Sequence, residues 1–429
     1  MKRDRSGVAA AAALVALAFA LSGGMAFGRA KSDLVFYACA AAQAALAALG
    51  GRFAARRGAS VVTILVLGAA LLRIAFVAQV PTLSGDVYRY IWDGRVIGAG
   101  FNPYLHVPAD PALIALRDPE QYGLIDKRDY AVTIYPPVAE AIFAVVTRIS
   151  TGVTAMKLVM VLFEAAAVFA VFQLLRRLGK SPGGLVAYLL HPAPIWEIAG
   201  NGHVDAAMLA FLYGAFAIGG ANRPFVAATA MTLGALAKPT GALGLPALWR
   251  PYQVGLPLFV LAMAAALYVP FAAAGTGIVG FLPHYLEEQG LTSGEGVFWL
   301  ALLRRSGLLT SGITQVFAAL TGLALLALAL WTRRRGATDL ASGLTGTALL
   351  LVAFLLAITP TFPWYFLAAL PMTPLLGLWS PYFLATGGFL LYGFQSDAPP
   401  FFGRWALLVG LALAAAVRDL THAMRKCAE

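Results

Sequence analysis

The stretch Ser60-Val-Val-Thr-Ile-Leu-Val-Leu-Gly-Ala-Ala-Leu-Leu-Arg-Ile-Ala-Phe-Val-Ala-Gln-Val80 decides the class of fold. One charged residue, Arg73, interrupts an apolar run long enough to cross a bilayer, which takes roughly 20 residues. Similar runs recur along most of the 429 residues. Hydrophobic residues make up 60% of the chain and charged residues 12%, far from the balance of a soluble protein. The composition therefore predicts an all-α polytopic membrane protein and excludes a soluble enzyme, a disordered chain, a β-barrel and a coiled coil.

Spans are expected at 8–27, 33–50, 60–80, 154–175, 183–200, 204–220, 224–237, 239–250, 254–273, 313–332, 339–358, 363–379, 382–395 and 403–417. Several are short and contain Pro or Gly, so half-spans are expected among them and the count is about 12–14. Basic residues mark one side of the membrane. Lys2, Arg3 and Arg5 precede the first span, Arg52, Arg56 and Arg57 follow the second, and Arg176, Arg177 and Lys180 follow the fourth. Arg333, Arg334 and Arg335 follow the tenth, and Arg418, Arg425 and Lys426 the last. Strict alternation puts these on the cytoplasmic side with both termini. The first segment also has a secretory pattern, a basic start followed by an apolar run from Val8 to Leu21 and then small residues. The net charge of +11 is thus a topology signal that contacts anionic lipid and needs no nucleic acid. Cys39 and Cys427 are the two cysteines, and neither a disulfide nor a zinc site is expected.

The outward side carries one long loop, 81–153, and a second at 274–312. Bundle connections are usually far shorter, and long loops are typically functional. The first holds Asp86, Asp93, Asp110, Asp118, Glu120, Asp126, Asp129 and Glu140. In Ser84-Gly-Asp-Val-Tyr-Arg-Tyr-Ile-Trp-Asp-Gly-Arg-Val96, a helix places Asp86, Tyr90 and Asp93 on one face with Arg89 a turn from Asp86. A carboxylate at such a boundary can accept a proton from a hydroxyl. The alternative is an interfacial helix with Asp86 as its N-cap and Tyr and Trp as an aromatic belt.

Gly100-Phe-Asn-Pro-Tyr104 and Ile134-Tyr-Pro-Pro-Val138 shape loops, with Tyr135 a candidate site residue. Ala199-Gly-Asn-Gly-His-Val-Asp205 is a tight turn presenting Asn201, His203 and Asp205. His203 and Asp205 do not make a metal pair, and no metal is expected. Glu197, just before, is a candidate by the cost of burying it. Lys238, in Leu236-Ala-Lys-Pro-Thr-Gly241, ends a span on the outward side. An apolar setting costs a lysine roughly 2.5–3.5 kcal/mol at mid-membrane. It needs a carboxylate or phosphate partner, unless it snorkels. Ile358-Thr-Pro-Thr-Phe-Pro-Trp-Tyr365 is an outward turn carrying Trp364 and Tyr365, which alone reads as an interface belt.

Taken in order, the run Asp86–Arg95, Asn102-Pro-Tyr104, Tyr135-Pro-Pro137, Gly202-His-Val-Asp205, Lys238-Pro239 and Pro363-Trp-Tyr365 resemble motifs of the GT-C superfamily of membrane glycosyltransferases. The resemblance is strongest to bacterial polyprenyl-phosphate-mannose-dependent mannosyltransferases and covers about residues 60–379. It implies a bundle whose first outward loop bears interfacial helices, with residues 1–59 as an additional N-terminal hairpin and 60–429 as the catalytic domain. It implies inverting transfer of a hexose, best taken as mannose, from a polyprenyl-phosphate donor to a glycolipid or glycan hydroxyl. The site then faces the periplasm of a bacterial inner membrane, and no cofactor or divalent metal is required. The family's base falls on Asp86, its donor-phosphate lysine on Lys238 and a second acid on Asp205. Relatives have Lys where this chain has Tyr135, so Arg89 or Arg95 would supply that charge. They often have His where this chain has Phe362. In this scheme Arg89 assists Lys238 at the phosphate. Asp93, Tyr90, Tyr135, Asn201, His203 and Asp205 hold sugar or acceptor hydroxyls, and Trp92, Trp364 and Tyr365 pack on sugar or lipid. A lipid-linked glycan polymerase or ligase and a secondary transporter or flippase are the alternatives. The absence of an internal repeat weighs against the transporter.

Overall fold

A computed structural model describes residues 4–250, 253–310, 312–336, 339–395 and 401–428. Lys2 and Arg3 of the basic start lie outside them, as do the side chains of Arg425, Lys426 and Cys427. The described residues contain helices and no strand. In chain order these are α1 (Arg5–Lys31), α2 (Asp33–Ala54), α3 (Ala59–Val77), α4 (Asp86–Gly98), α5 (Pro137–Ile149) and α6 (Val153–Arg177). Next come α7 (Val186–Leu189), α8 (Asp205–Ala217), α9 (Pro224–Ala237), α10 (Gly255–Tyr268), α11 (Leu282–Glu288) and α12 (Phe298–Arg305). The last are α13 (Ile313–Gly336), α14 (Leu340–Ile358), α15 (Met372–Leu376), α16 (Ser380–Gly387) and α17 (Phe401–Ala428).

Among the described residues, 8 helices are long and apolar enough to cross a membrane. The expected spans at 204–220 and 224–237 are the shorter apolar helices α8 and α9. Those at 183–200, 239–250 and 363–379 are broken, for a common reason. Pro lacks an N–H and blocks the turn before it. Pro182 opens a 3₁₀ turn, Pro194–Gly200 winds as a π-helix, and Pro239–Leu248 is 3₁₀ with Pro246 inside. The protein is therefore a polytopic helical membrane protein in which irregular turns interrupt several apolar stretches.

The chain forms two compact units. The first comprises Met1–Ala78, Val171–Glu197 and Val352–Glu429. Here α1 and α2 cross where Gly28 meets the backbone of Phe36, and Ser22 donates to Gln43 at 3.1 Å. The break after α7 frees backbone carbonyls. Leu190 has Pro194 four residues on, which offers no N–H, and the N–H of Ala193 goes to the His191 ring at 3.1 Å. Side chains from other helices fill the gap. Gln43 donates to the Leu190 carbonyl at 3.3 Å, and Arg73 to the carbonyls of Leu189 at 2.9 Å and Ala69 at 3.0 Å. The single charge in the deciding span is thus spent on backbone. Glu197 accepts from the Tyr392 hydroxyl at 2.9 Å.

The second unit comprises Gln79–Ala170 and Ile198–Leu351. It contains both outward loops. α4 lies tightly on α5, because Gly94 faces the Phe143 carbonyl with no room for a Cβ. Trp92 and Val96 on the other side of α4 form a small core with Leu113 and Ile125. The second outward loop docks on the first. Phe281 N–H donates to the Thr133 carbonyl at 2.9 Å, Asn102 reaches the Phe271 carbonyl at 3.3 Å, and Lys127 pairs with Glu288.

Gly94→Ala should force α4 from α5 and lower stability by about 1–3 kcal/mol, the usual cost of overpacking. Gly98→Ala, which meets open space on the same helix, should not destabilise. Thermal unfolding of the two variants in detergent checks the contrast.

Candidate functional site

The site is built where the 199–205 turn meets the exit of α3. Asn201 Oδ1 accepts the backbone N–H of Thr82 and of Leu83, both at 3.0 Å, and so pins the loop that leads into α4. Gly202 has φ +79°, and a Cβ there would press on Lys157 and Val87. Both conformation and space therefore call for glycine at this position. Lys157 lies fully buried in the first turn of α6 and donates to the Gln79 carbonyl at 2.6 Å. The segment from Gln79 to Leu83 is thus tied from two directions.

With that loop fixed, Asp86 becomes the first residue of α4, and the cap position is Gly85. Its side chain is 33% exposed, and His203, wholly buried, stands behind it with Nδ1 3.6 Å from Oδ2. That distance is electrostatic proximity and too long for a hydrogen bond. One turn along, Tyr90 is stacked on Phe143 at 4.4 Å and meets Tyr135 edge-on at 5.0 Å. Burial, and after it the charge on Asp86, pushes both phenols well above their usual range, so both stay neutral O–H groups beside a carboxylate. The N-cap alternative for Asp86 loses its geometric basis, and the carboxylate is partly open to the surface.

The second charged pair lies across the same turn. Lys238 Nζ donates to Asp205 Oδ2 at 2.6 Å, with Asp205 buried and Lys238 nearly so. Pro239 forces the residue before it into extended backbone, so α9 stops and leaves Lys238 at its C-terminal end. Asp205 begins α8. Each charge therefore sits at the helix end whose dipole favours it.

Behind Asp86, Arg89 donates to Asp93 at 2.8 Å and to the Ala131 carbonyl at 2.9 Å. Glu140 of α5 accepts from Thr133 Oγ1 at 2.6 Å. Arg95 points to Asp118 at 3.4 Å. The structure thus gathers Asp86, Tyr90, Tyr135, Asn201, His203, Asp205 and Lys238 about one turn. Arg89 and Asp93 lie beneath that surface, committed to each other. Trp92 lies in the small apolar core. Trp364 and Tyr365 belong to the first unit, where Trp364 stacks on Phe362 at 4.7 Å. Sequence reasoning passed over Lys157 and counted Glu140 only as one acid of the loop. The cost argument that singled out Lys238 applies equally to Lys157, which sits inside the expected span 154–175.

Fold and site define a polytopic membrane protein with a buried, ion-paired polar centre beside the long loop 81–153. The chain belongs to the family described as alpha-(1->6)-mannopyranosyltransferase, N-terminal domain, whose model matches residues 10–250. It is also similar to alpha-(1->6)-mannopyranosyltransferase A of Mycobacterium tuberculosis (strain ATCC 25618 / H37Rv), at 24% identity over 316 residues. That match covers 67% of this chain and 60% of the relative, so the chain spans less than two thirds of the relative's length. No solved structure matches.

Removing Lys238 should strand a buried carboxylate. Lys238→Ala is expected to cost about 3–5 kcal/mol of stability, the usual penalty for breaking a buried pair. Adding Asp205→Asn should recover part of that loss. A double-mutant cycle by denaturant unfolding measures the coupling.

Proposed function

We propose that this protein is an inverting membrane glycosyltransferase. It moves mannose from a polyprenyl-phosphate-mannose donor to a hydroxyl of a glycolipid or glycan at the periplasmic face of a bacterial inner membrane. Both termini are cytoplasmic in this reading, and residues 60–429 carry the catalytic machinery. The observation that carries it is a partly exposed carboxylate, Asp86, set beside His203, with the Lys238–Asp205 ion pair held at the same 199–205 turn, in a chain of a mannosyltransferase family.

The chemistry needs two things. An acceptor hydroxyl must lose its proton as its oxygen attacks the anomeric carbon from the side opposite the leaving group. The bond from that carbon to the phosphate oxygen then breaks, and the polyprenyl phosphate gains a negative charge. Asp86 takes the proton. His203 at its back and the neutral Tyr90 and Tyr135 beside it orient the carboxylate and the hydroxyls it meets. Lys238 meets the growing phosphate charge, its ammonium already oriented by Asp205, so little reorganisation is needed when the bond breaks. Neither step calls for a metal.

The test is transfer of labelled mannose from polyprenyl-phosphate-mannose to a membrane glycolipid by the purified protein in nanodiscs. Asp86→Asn should fold and bind donor but lose about 10²–10⁴-fold in rate, the range of a general base. Lys238→Ala should raise the donor concentration needed for half-maximal rate. Full transfer by a well-folded Asp86→Asn protein rejects the assignment.

A further inference from the structure

Between α4 and α5 two carboxyl groups meet one guanidinium, and the charges do not balance. Arg89, Asp93, Thr133 and Glu140 are all buried. Arg89 takes Asp93 Oδ1, and Thr133 donates to Glu140 Oε1. Glu140 on α5 also feels the charge of Asp93 on the facing helix α4. Yet Asp93 Oδ2 and Glu140 Oε2, both buried, accept no hydrogen bond. An ionised carboxyl accepts only, so two ionised groups cannot bond to each other. They would also leave one buried negative charge uncompensated, at a cost of several kcal/mol. A single proton removes both problems.

We propose that Asp93 and Glu140 share one proton, carried by Glu140, in a proton-bridged carboxyl pair neutralised by Arg89. This bridge fastens α4 to α5 and thereby sets where Asp86 stands. Glu140 and Asp93 are positioning residues here. Asp86, Arg89 and Asp93 ride on one short helix, so a change of tilt at the bridge moves the carboxylate at its start. The groups facing Glu140 are Asp93 and Arg89 from α4 and Thr133 and Tyr104 from the adjoining loops. Burial first, and the Asp93 charge second, hold the Glu140 carboxyl well above the usual range.

The sign of the pH effect follows. The folded protein keeps a proton that the unfolded chain releases, so the stabilisation is complete below the ordinary glutamate range. It is lost as pH rises through the folded value. Glu140→Gln supplies an N–H donor in place of the proton and carries no charge, so it retains the bridge at every pH.

The consequence for transfer rests on the reading of Asp86 as base, and the bridge itself does not. The test therefore has two readouts. Infrared spectroscopy of the full-length protein in nanodiscs should show a protonated-carboxyl carbonyl band at neutral pH that Glu140→Gln removes. The melting temperature of the wild type should fall from neutral to alkaline pH, and that of Glu140→Gln should not. Mannosyl transfer should show the same difference, an alkaline loss in the wild type that Glu140→Gln abolishes. A wild type lacking the band, or a Glu140→Gln protein whose melting temperature falls as the wild type's does, overturns the bridge. If Glu140→Gln does not fold, Asp93→Asn decides. Glu140 then becomes the sole partner of Arg89 and ionises, so the band should vanish, and its persistence rejects a shared proton. Absence of transfer from every donor tried would reject the enzymatic reading and leave the infrared and melting results to judge the bridge.

Discussion

An ionic charge inside an apolar chain has to be answered within a few ångströms, and this protein answers each one locally. Lys238 is answered by Asp205, and each of them also has a helix end of the right sign beside it. Arg89 is answered by Asp93 and a backbone carbonyl, and Arg73 by carbonyls left over where prolines break a helix. The Lys238–Asp205 pair also fixes the relative position of two elements, α9 and α8, while Arg89 ties α4 to the loop at Ala131. The polar centre of the second unit is therefore held together by its own buried charges.

This economy explains why Asp86 differs from its neighbours. Asp93, Asp205 and Glu140 are buried against partners, while Asp86 keeps a third of its side chain open. Its position is imposed from outside, through the loop that Asn201 and Lys157 tie down and through the face that α4 presses on α5. A carboxylate held by its surroundings rather than by a counter-ion remains able to take a proton. The buried, paired acid and the partly open one thus lie seven residues apart on the same short helix.

Much of the fold was legible in the sequence because α1, α2, α3 and α6 are long, mostly apolar runs with basic residues at or beside one end. The stretches around Pro194, Pro246 and Pro363 were not, since hydropathy there persists while the backbone pattern changes. The turn chemistry of 199–205 and the helix-stopping Lys238-Pro239 could be read from residue type alone. That Asp205 faces Lys238, and His203 faces Asp86, could not, because these pairs form only when distant segments pack. Glu140 looked like one of many loop acids, and its burial depends on how α5 lies on α4. Lys157 was readable by cost and was hidden by its place near a span end, where a lysine is ordinarily unremarkable.

Thr133 is a junction of an unusual kind. Its hydroxyl serves Glu140 and the backbone N–H of Tyr135, and its carbonyl receives Phe281 N–H from the second outward loop. Chains are made from the N-terminus, and their parts fold as they emerge. All partners of the hydroxyl are synthesised soon after Thr133, whereas the carbonyl waits for a segment made much later. During biosynthesis the first outward loop can therefore assemble its carboxyl cluster while one edge of it stays wet. Gly280, backed against that same carbonyl with φ +60°, closes the edge last. The order of manufacture thus leaves the inner face of the centre complete before its outer cover arrives.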